Sequence, residues 1–410
     1  MVGGERLSRG GFPPAGTNRS PWEERRKGEV LLVAPLPGPP LLGGIETGVK
    51  LLLDTELSCR VSMRLFNTAR NGNPTRGLPR KLAFQVSACA RFIAALLRVR
   101  PRIVHVKAAT GINFFQHGLY AALARLFGRK VLLQLHAGDF PAFVEKAGPL
   151  RRRIIRFVLR LPHGLLALSP RWAEYFHRLS DGRPVAVIPN ATLTEGFFEG
   201  TPDRVRFGIP ADRLVLLFIA TRDPRLDADK GLPDLLEAVK RVRSRHPNLM
   251  LVLAGRTARL EEISAMLGPE GDAWKSVRPV AGEEKSSLYR SADLFVLPSQ
   301  FENMPNTVIE AMAAGLPVVA TPVGAVPEML DDGEEGFLVP AGAVDVLADR
   351  IDRLARDTSL RRRMGSRAGL RAAREFHIHL LERRLAAEYA RLAPGMLPAL
   401  LPVLPRSSES

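Results

Sequence analysis

Short, almost continuous apolar runs alternate with amphipathic stretches along this chain, and past residue 210 the alternation starts afresh. Glu29–Ala34, Arg102–Lys107, Lys130–His136, Gly164–Ser169 and Val185–Pro189 are rich in leucine or β-branched residues. Strands covered on both faces by helices read this way, because neither face meets water. Leu82–Leu97 and Gly118–Phe127 carry helical spacing between them. The second set is Leu214–Thr221, Leu249–Gly255, Val277–Ala281, Leu294–Pro298, Val318–Thr321 and Gly336–Val339, with helices expected at Leu232–Arg245 and Asn306–Ala314. Such alternation predicts doubly wound α/β units. The expected fold is two Rossmann-like domains whose strand carboxyl ends face one central cleft, where ligands of open α/β sheets sit.

At 410 residues the chain has room for two cores of ordinary size. Residues 1–28 are rich in Gly, Pro, Arg and Ser and read as a disordered leader or an over-extended start. Residues 29–192 form the expected first domain, the polar stretch 193–210 the linker, and 211–375 the second domain. A helix over 376–393 is expected to pack back on the first domain, with 394–410 as a flexible tail. No run approaches the roughly 20 apolar residues that span a bilayer, so a cytoplasmic protein is expected. Cys59 and Cys89 stand apart and read as packing thiols of a reducing compartment. The net charge of +17 predicts attraction to an anionic partner: nucleic acid, a lipid surface or a phosphorylated substrate. With only 6% aromatic residues and no nucleic-acid module, the first of these is disfavoured.

The most informative segment is Phe301-Glu302-Asn303-Met304-Pro305-Asn306-Thr307-Val308-Ile309-Glu310. A strand ends just before it and a helix begins near Asn306, with Pro305 suited to the first turn. Free N–H groups and the helix dipole at such a junction favour phosphate. Asn306 and Thr307 can therefore offer backbone N–H groups to a diphosphate. Glu302 and Glu310 flank that point, each able to accept hydrogen bonds from sugar hydroxyls. In the turn after Leu214–Thr221, Arg222, Arg225 and Lys230 are candidate diphosphate cations, guanidinium as a fork and ammonium as a mobile point charge. Gly43-Gly44 opens a helix after the first strand, a weak signal for close backbone approach to a ligand. His136 ends its strand at the cleft, placed for a sugar hydroxyl, while Ser169 and Asn190 end the next two strands.

The stretch from Leu297 to Glu328, with Ala311–Thr321, Val323–Glu328 and Gly333–Pro340, resembles the signature of glycosyltransferase family 4. These are retaining enzymes of the two-domain GT-B fold. The resemblance runs from about residue 29 to Leu392, strong in the second domain and thinner in the first. It implies that Glu302 contacts the donor sugar and Glu310 the nucleotide ribose. It also implies that Lys230 and Arg222 hold the diphosphate, that Gly44 approaches it, and that His136 lies near the sugar. The loop is longer than the family's, so Arg225 is an alternative to Arg222. His136, Glu302, Arg222 and Lys230 are thus the expected catalytic residues. Gly44, Arg225, Asn303, Met304, Pro305, Asn306, Thr307 and Glu310 are the expected donor contacts.

No metal-ligand cluster is legible, so no cofactor is expected and the cations would carry the leaving group's charge. Arg152, Arg153, Arg156 and Arg160 share one side of a helix over Leu150–Leu161, with Ile154, Ile155, Phe157, Val158, Leu159 and Leu161 on the rest. That helix either packs on its own sheet or docks on anionic headgroups, where a lipid-linked acceptor would lie. The expected activity is hexose transfer from a nucleoside-diphosphate sugar to a glycan or lipid-linked acceptor in polysaccharide synthesis. A nucleotide-sugar epimerase and a non-catalytic nucleotide-sugar or lipid binder are the rivals.

Overall fold

The structure is a computed structural model that describes residues 29–36, 44–69, 78–136, 138–219, 229–255 and 260–397. The first unit runs β1 (Val30–Ala34), α1 (Gly44–Leu53), α2 (Glu56–Arg60), β2 (Arg64–Asn67), α3 (Leu78–Val99), β3 (Ile103–Ala108) and α4 (Ile112–Leu126). It continues with β4 (Lys130–Leu135), α5 (Phe140–Glu145), α6 (Pro149–Arg160), β5 (Gly164–Ala167), α7 (Pro170–Leu179) and β6 (Val185–Val187). The second unit holds α8 (Thr194–Phe198), β7 (Leu214–Ile219), α9 (Leu232–Arg243), β8 (Leu249–Ala254), α10 (Leu260–Leu267), β9 (Trp274–Val277), α11 (Glu283–Arg290) and β10 (Leu294–Leu297). Then come α12 (Asn306–Ala313), β11 (Val318–Ala320), α13 (Val326–Met329), β12 (Gly336–Leu338), α14 (Val344–Arg356), α15 (Thr358–Glu375) and α16 (Ile378–Leu392).

Two six-stranded sheets result, in the orders β2-β1-β3-β4-β5-β6 and β12-β11-β10-β7-β8-β9. Every described pairing is parallel, as the unbroken apolar runs require. The order reverses between β1 and β3 in the first sheet and between β7 and β10 in the second. At such reversals the connections leave in opposite directions and open a crevice at the strand carboxyl ends. The architecture is the GT-B arrangement of two Rossmann-like units about a cleft.

Some elements differ from the sequence expectation. Val277–Ala281 is not a strand: β9 lies three residues earlier, where buried Trp274 donates its indole N–H to Gly268 O at 2.8 Å. Pro279 has no N–H for a ladder and restrains Arg278, so pairing stops at Val277. Helix α4 begins at Ile112 rather than Gly118, because fully buried Phe114 anchors an additional turn and a half. The short β2 was not anticipated; its half-exposed residues carry no strong apolar pattern. Within the stretch read as a linker, α8 sets Phe197 edge-on against Tyr289 at 5.5 Å. Cys59 is exposed rather than packed.

The chain crosses between the sheets twice, side by side. Thr192 N–H donates to Phe376 O at 2.9 Å and Ile378 N–H to Thr192 O at 3.0 Å. Beyond that bridge α16 lays Leu385, Tyr389 and Leu392 onto the β1–β3–β4 face, against Leu32, Ile103 and Leu132. Tyr389 is fully buried, and its hydroxyl meets His105 Nδ1 at 2.8 Å. Replacing Tyr389 by Phe keeps the packing and orphans that nitrogen, so a loss of about 1–3 kcal/mol is expected in urea unfolding. An unchanged midpoint would show that the pair contributes nothing.

Candidate active site

Lys230 and the loop 298–305 stand at the carboxyl ends of β7 and β10, the reversal point of the second sheet. The two loops are laced together: Gln300 N–H donates to Asp229 O at 2.8 Å, and Gly231 adopts φ +75° hard against Pro298 O. A side-chain Cβ at 231 would lie 2.0 Å from that oxygen, so only glycine fits behind Lys230. Lys230 Nζ forms an ion pair with Glu302 Oε1, and Ser299 Oγ donates to the same oxygen at 2.9 Å. The Glu302 side chain is only 9% exposed, so its charge depends on these donors.

Helix α12 starts at Asn306, with Pro305 one residue earlier in the N-cap position rather than in the first turn. Val308 and Ile309 N–H groups already reach back to Pro305 O, which leaves those of Asn306 and Thr307 as the open donors of the terminus. Glu310, one turn on, is 5% exposed. Its Oε1 takes the ammonium of Lys285 and its Oε2 the hydroxyl of Tyr289 at 2.9 Å. Each oxygen keeps one further lone pair for a hydroxyl. Burial, then the Glu310 charge, pushes the Tyr289 phenol well above its usual pKa, so it remains a donor.

The first unit closes on this loop. Asn190 Nδ2 donates to Met304 O at 2.9 Å, and Asn306 Nδ2 to Gly44 O at 3.1 Å. Gly138 lies backbone to backbone on Glu302: a Cβ there would sit 2.3 Å from the Glu302 carbonyl. Asn303 Nδ2 faces Leu135 O at the longer distance of 3.5 Å, and its carbonyl receives Ala325 N–H at 2.7 Å. The turn bearing His136 is fixed from below by Phe140, whose ring meets Phe114, Phe143 and Phe176 at 5.1–5.5 Å. His136 Nε2 is buried and has no hydrogen-bond partner among the described residues. Burial, with the Lys107 and His105 charges adding, keeps the ring well below its usual pKa and therefore neutral.

A carboxylate–ammonium pair, an open helix terminus and a second buried carboxylate thus share one crevice with a neutral imidazole. Residues 201–371 match the family model described as glycosyl transferases group 1, and residues 24–191 match a glycosyl transferase 4-like domain. The chain belongs to the group 1 glycosyl transferases. Among curated relatives, the alpha-D-kanosaminyltransferase of Streptomyces kanamyceticus is 24% identical over 285 residues, 66% of this chain and 72% of that one. A D-inositol 3-phosphate glycosyltransferase of Arthrobacter is 34% identical over 56% of each chain. This chain thus spans about half the length of that relative. The sucrose-phosphate synthase of Thermosynechococcus elongatus superposes with a TM-score of 0.73 at 20% identity, covering 89% of this chain and 99% of that one. HepE of Anabaena, solved with UDP-glucose, gives 0.68 at 19% over 88% and 99%. Both share its fold.

In this glycosyl transferase the structure gathers His136, Glu302, Lys230, Gly44 and the segment from Asn303 to Glu310. Arg222 and Arg225 lie outside the described residues. Ser169 serves inside the first unit: its Oγ caps α7 by accepting Trp172 N–H at 3.4 Å. Lys285 and Tyr289, which hold Glu310, were not singled out from sequence. Their spacing of four on α11 puts both on one helical face, and that was the available signal.

The basic helix differs from its expected wheel. On α6, Ile155, Val158 and Leu159 are buried, whereas Leu150, Ile154 and Phe157 form an exposed apolar stripe beside the arginines. Arg152 donates to Val144 O and Glu145 O, and Arg160 pairs with Asp181. Among the described residues, nothing pairs with Arg153 or Arg156. No described helix is long and apolar enough to cross a membrane.

Three buried imidazoles set a pH dependence. Burial lowers His105 to about 3 (Lys107 adding) and His117 to about 4, with His136 also well below 6.5. The folded chain holds these rings neutral while the unfolded chain protonates them below about 6.5. Their contribution is therefore complete above that pH and is lost as pH falls from 6.5 toward 4. Between pH 7.5 and 5.5 His105 and His117 together account for a loss of about 3 kcal/mol, with His136 adding in the same direction. Denaturant titrations at pH 7.5 and 5.5 should show that loss, and equal midpoints would contradict it.

Proposed function

We propose that the protein transfers a hexose from a nucleoside-diphosphate sugar, with retention, to a glycan or lipid-linked acceptor in polysaccharide synthesis. The observation that carries the donor half is the flanking of one open helix terminus by Glu302 and Glu310. The diphosphate rests on the Asn306 and Thr307 amides, with Lys230 beside it. Glu302, its Oε1 engaged by Lys230 and Ser299, accepts sugar hydroxyls through its remaining lone pairs. Glu310 accepts the ribose hydroxyls at the far end of the same turn. Lys230 is proposed to serve twice, setting the Glu302 carboxylate and meeting the phosphate.

Transfer breaks the bond between the anomeric carbon and the diphosphate while the acceptor oxygen bonds to that carbon and releases its proton. Negative charge develops on the departing diphosphate, where Lys230 and the α12 terminus already point. No metal is required in this reading. Neutral His136, with Nε2 facing no partner, pairs with a hydroxyl of the transferred sugar. Retention rests on the family resemblance. An anionic lipid surface is the proposed setting, met by Arg153, Arg156 and the Leu150–Ile154–Phe157 stripe.

Incubation with nucleoside-diphosphate hexoses and candidate acceptors is expected to give a glycoside whose anomeric configuration matches the donor. Glu302→Gln should lower kcat/KM by about 100-fold or more, the scale of one lost transition-state contact. Lys230→Met should act similarly while also weakening nucleoside-diphosphate binding. Release of a free epimer from donor alone would replace transfer by epimerisation. Nucleotide-sugar binding without turnover, unaffected by either substitution, would favour a binding protein.

A further inference from the structure

On the first sheet, the face that receives α1 and α16 is apolar along its length, with Val30, Leu32, Ile103, Leu132 and Leu166. At the carboxyl ends of β3 and β4 that pattern breaks. Residues two apart on a strand share a face, so His105 and Lys107 stand together on β3. Gln134 is the register partner of Lys107 on β4, and His136 follows two residues later. None of these is a surface group: His105 is 0%, Gln134 3% and Lys107 5% exposed. Among the described residues, no carboxylate pairs with Lys107. Nε2 of His105, Nε2 of His136 and the amide oxygen of Gln134 likewise have no hydrogen-bond partner of good geometry, the Gln134 amide lying next to the His105 ring.

Buried polar groups are normally satisfied, and a buried ammonium without a counter-ion is costly. Their position supplies a reason. They lie at the β1/β3 reversal of the sheet, the crevice where a doubly wound unit holds its ligand. Helix α1 packs on the same face and begins there at Gly44, turning its positive end toward the crevice. The surroundings are therefore electropositive, with two open acceptors or donors beside the charge. Burial lowers Lys107 to about 8, which leaves it mostly protonated at neutral pH and short of an anion.

We propose that Lys107, with Gln134 beside it on β4, forms an acceptor subsite that recognises an anionic group, phosphate or carboxylate, on a hydroxylated acceptor. The proposal rests on the transferase reading and adds the chemical class of its acceptor. His105, held by Tyr389, is a positioning residue behind Lys107.

The test uses the full chain saturated with UDP. Inorganic phosphate, glucose 6-phosphate, glucuronate and glucose are titrated by calorimetry and thermal shift. At least one anionic probe should bind at least ten-fold more tightly than glucose. Glucose 6-phosphate ahead of glucuronate assigns phosphate, and the reverse order assigns carboxylate. Lys107→Met should abolish that preference while changing the UDP Kd by less than two-fold. Gln134→Met, which keeps the charge, should weaken the sugar-bearing probes and leave inorganic phosphate unchanged. Equal binding of glucose and the anions by the native chain would overturn the proposal. So would Lys107→Met retaining the preference, or losing UDP as Lys230→Met does, which would move Lys107 to the donor side. UDP bound with no anion preference sinks this inference alone, whereas failure of every nucleoside diphosphate to bind sinks the donor reading beneath it as well.

Discussion

Glu302 and Glu310 are carboxylates held almost out of water, and much of the second unit is arranged so that they can remain charged there. A buried carboxylate is tolerable only against a cation and further donors. For Glu302 these are Lys230 and Ser299; for Glu310 they are Lys285 and Tyr289. Lys230 can reach only because the β7 and β10 loops touch, which the positive φ of Gly231 under Pro298 allows. Lys285 in turn lies over the Phe197 ring at 5.8 Å, so the short helix α8 belongs to the same assembly. One charge on the loop before α12 and one on the helix itself thus tie together segments from four parts of the chain.

The fold was legible because parallel strands covered on both sides leave an unmistakable apolar run, and most runs mark their strands to within two residues. Where the reading failed, the cause was local. Pro279 ends pairing inside an apolar run that alone would prolong the strand, and β2 is too short and too exposed to carry a pattern. The helix α6 shows the limit of a wheel drawn without its neighbours. Spacing separates arginines from aliphatics, but only packing decides that Ile155, Val158 and Leu159 face inward while Leu150, Ile154 and Phe157 do not.

Legibility of the site followed chemistry in the same way. Glu302, Lys230 and Glu310 lie on turns whose residue order announces a strand end and a helix start, so their convergence could be expected. Lys285 and Tyr289 sit on an ordinary amphipathic helix and acquire meaning only from what they touch. Lys107 was hidden for a similar reason. Inside the run Ile-Val-His-Val-Lys a single lysine looks like a solvated strand end, and only its burial and lack of an ion pair set it apart.

The two halves of the cleft therefore differ in kind. Both carboxylates of the second unit are already partnered, so on the proposed reading the donor meets a network formed beforehand. In the first unit Gln134 Oε1 and His136 Nε2 lack partners and no described carboxylate pairs with Lys107, so in the proposed reading the ligand satisfies them. With Gly138 pressed on Glu302 and Asn190 bonded to Met304, the crevice admits no sugar between those backbones. The chain joins the two units only at the adjacent crossings near Thr192 and His377. Opening about that paired bridge leaves both polar networks intact, because each lies wholly within one unit. The groups proposed to read the donor and those proposed to face the acceptor are thus built separately, one set in each unit.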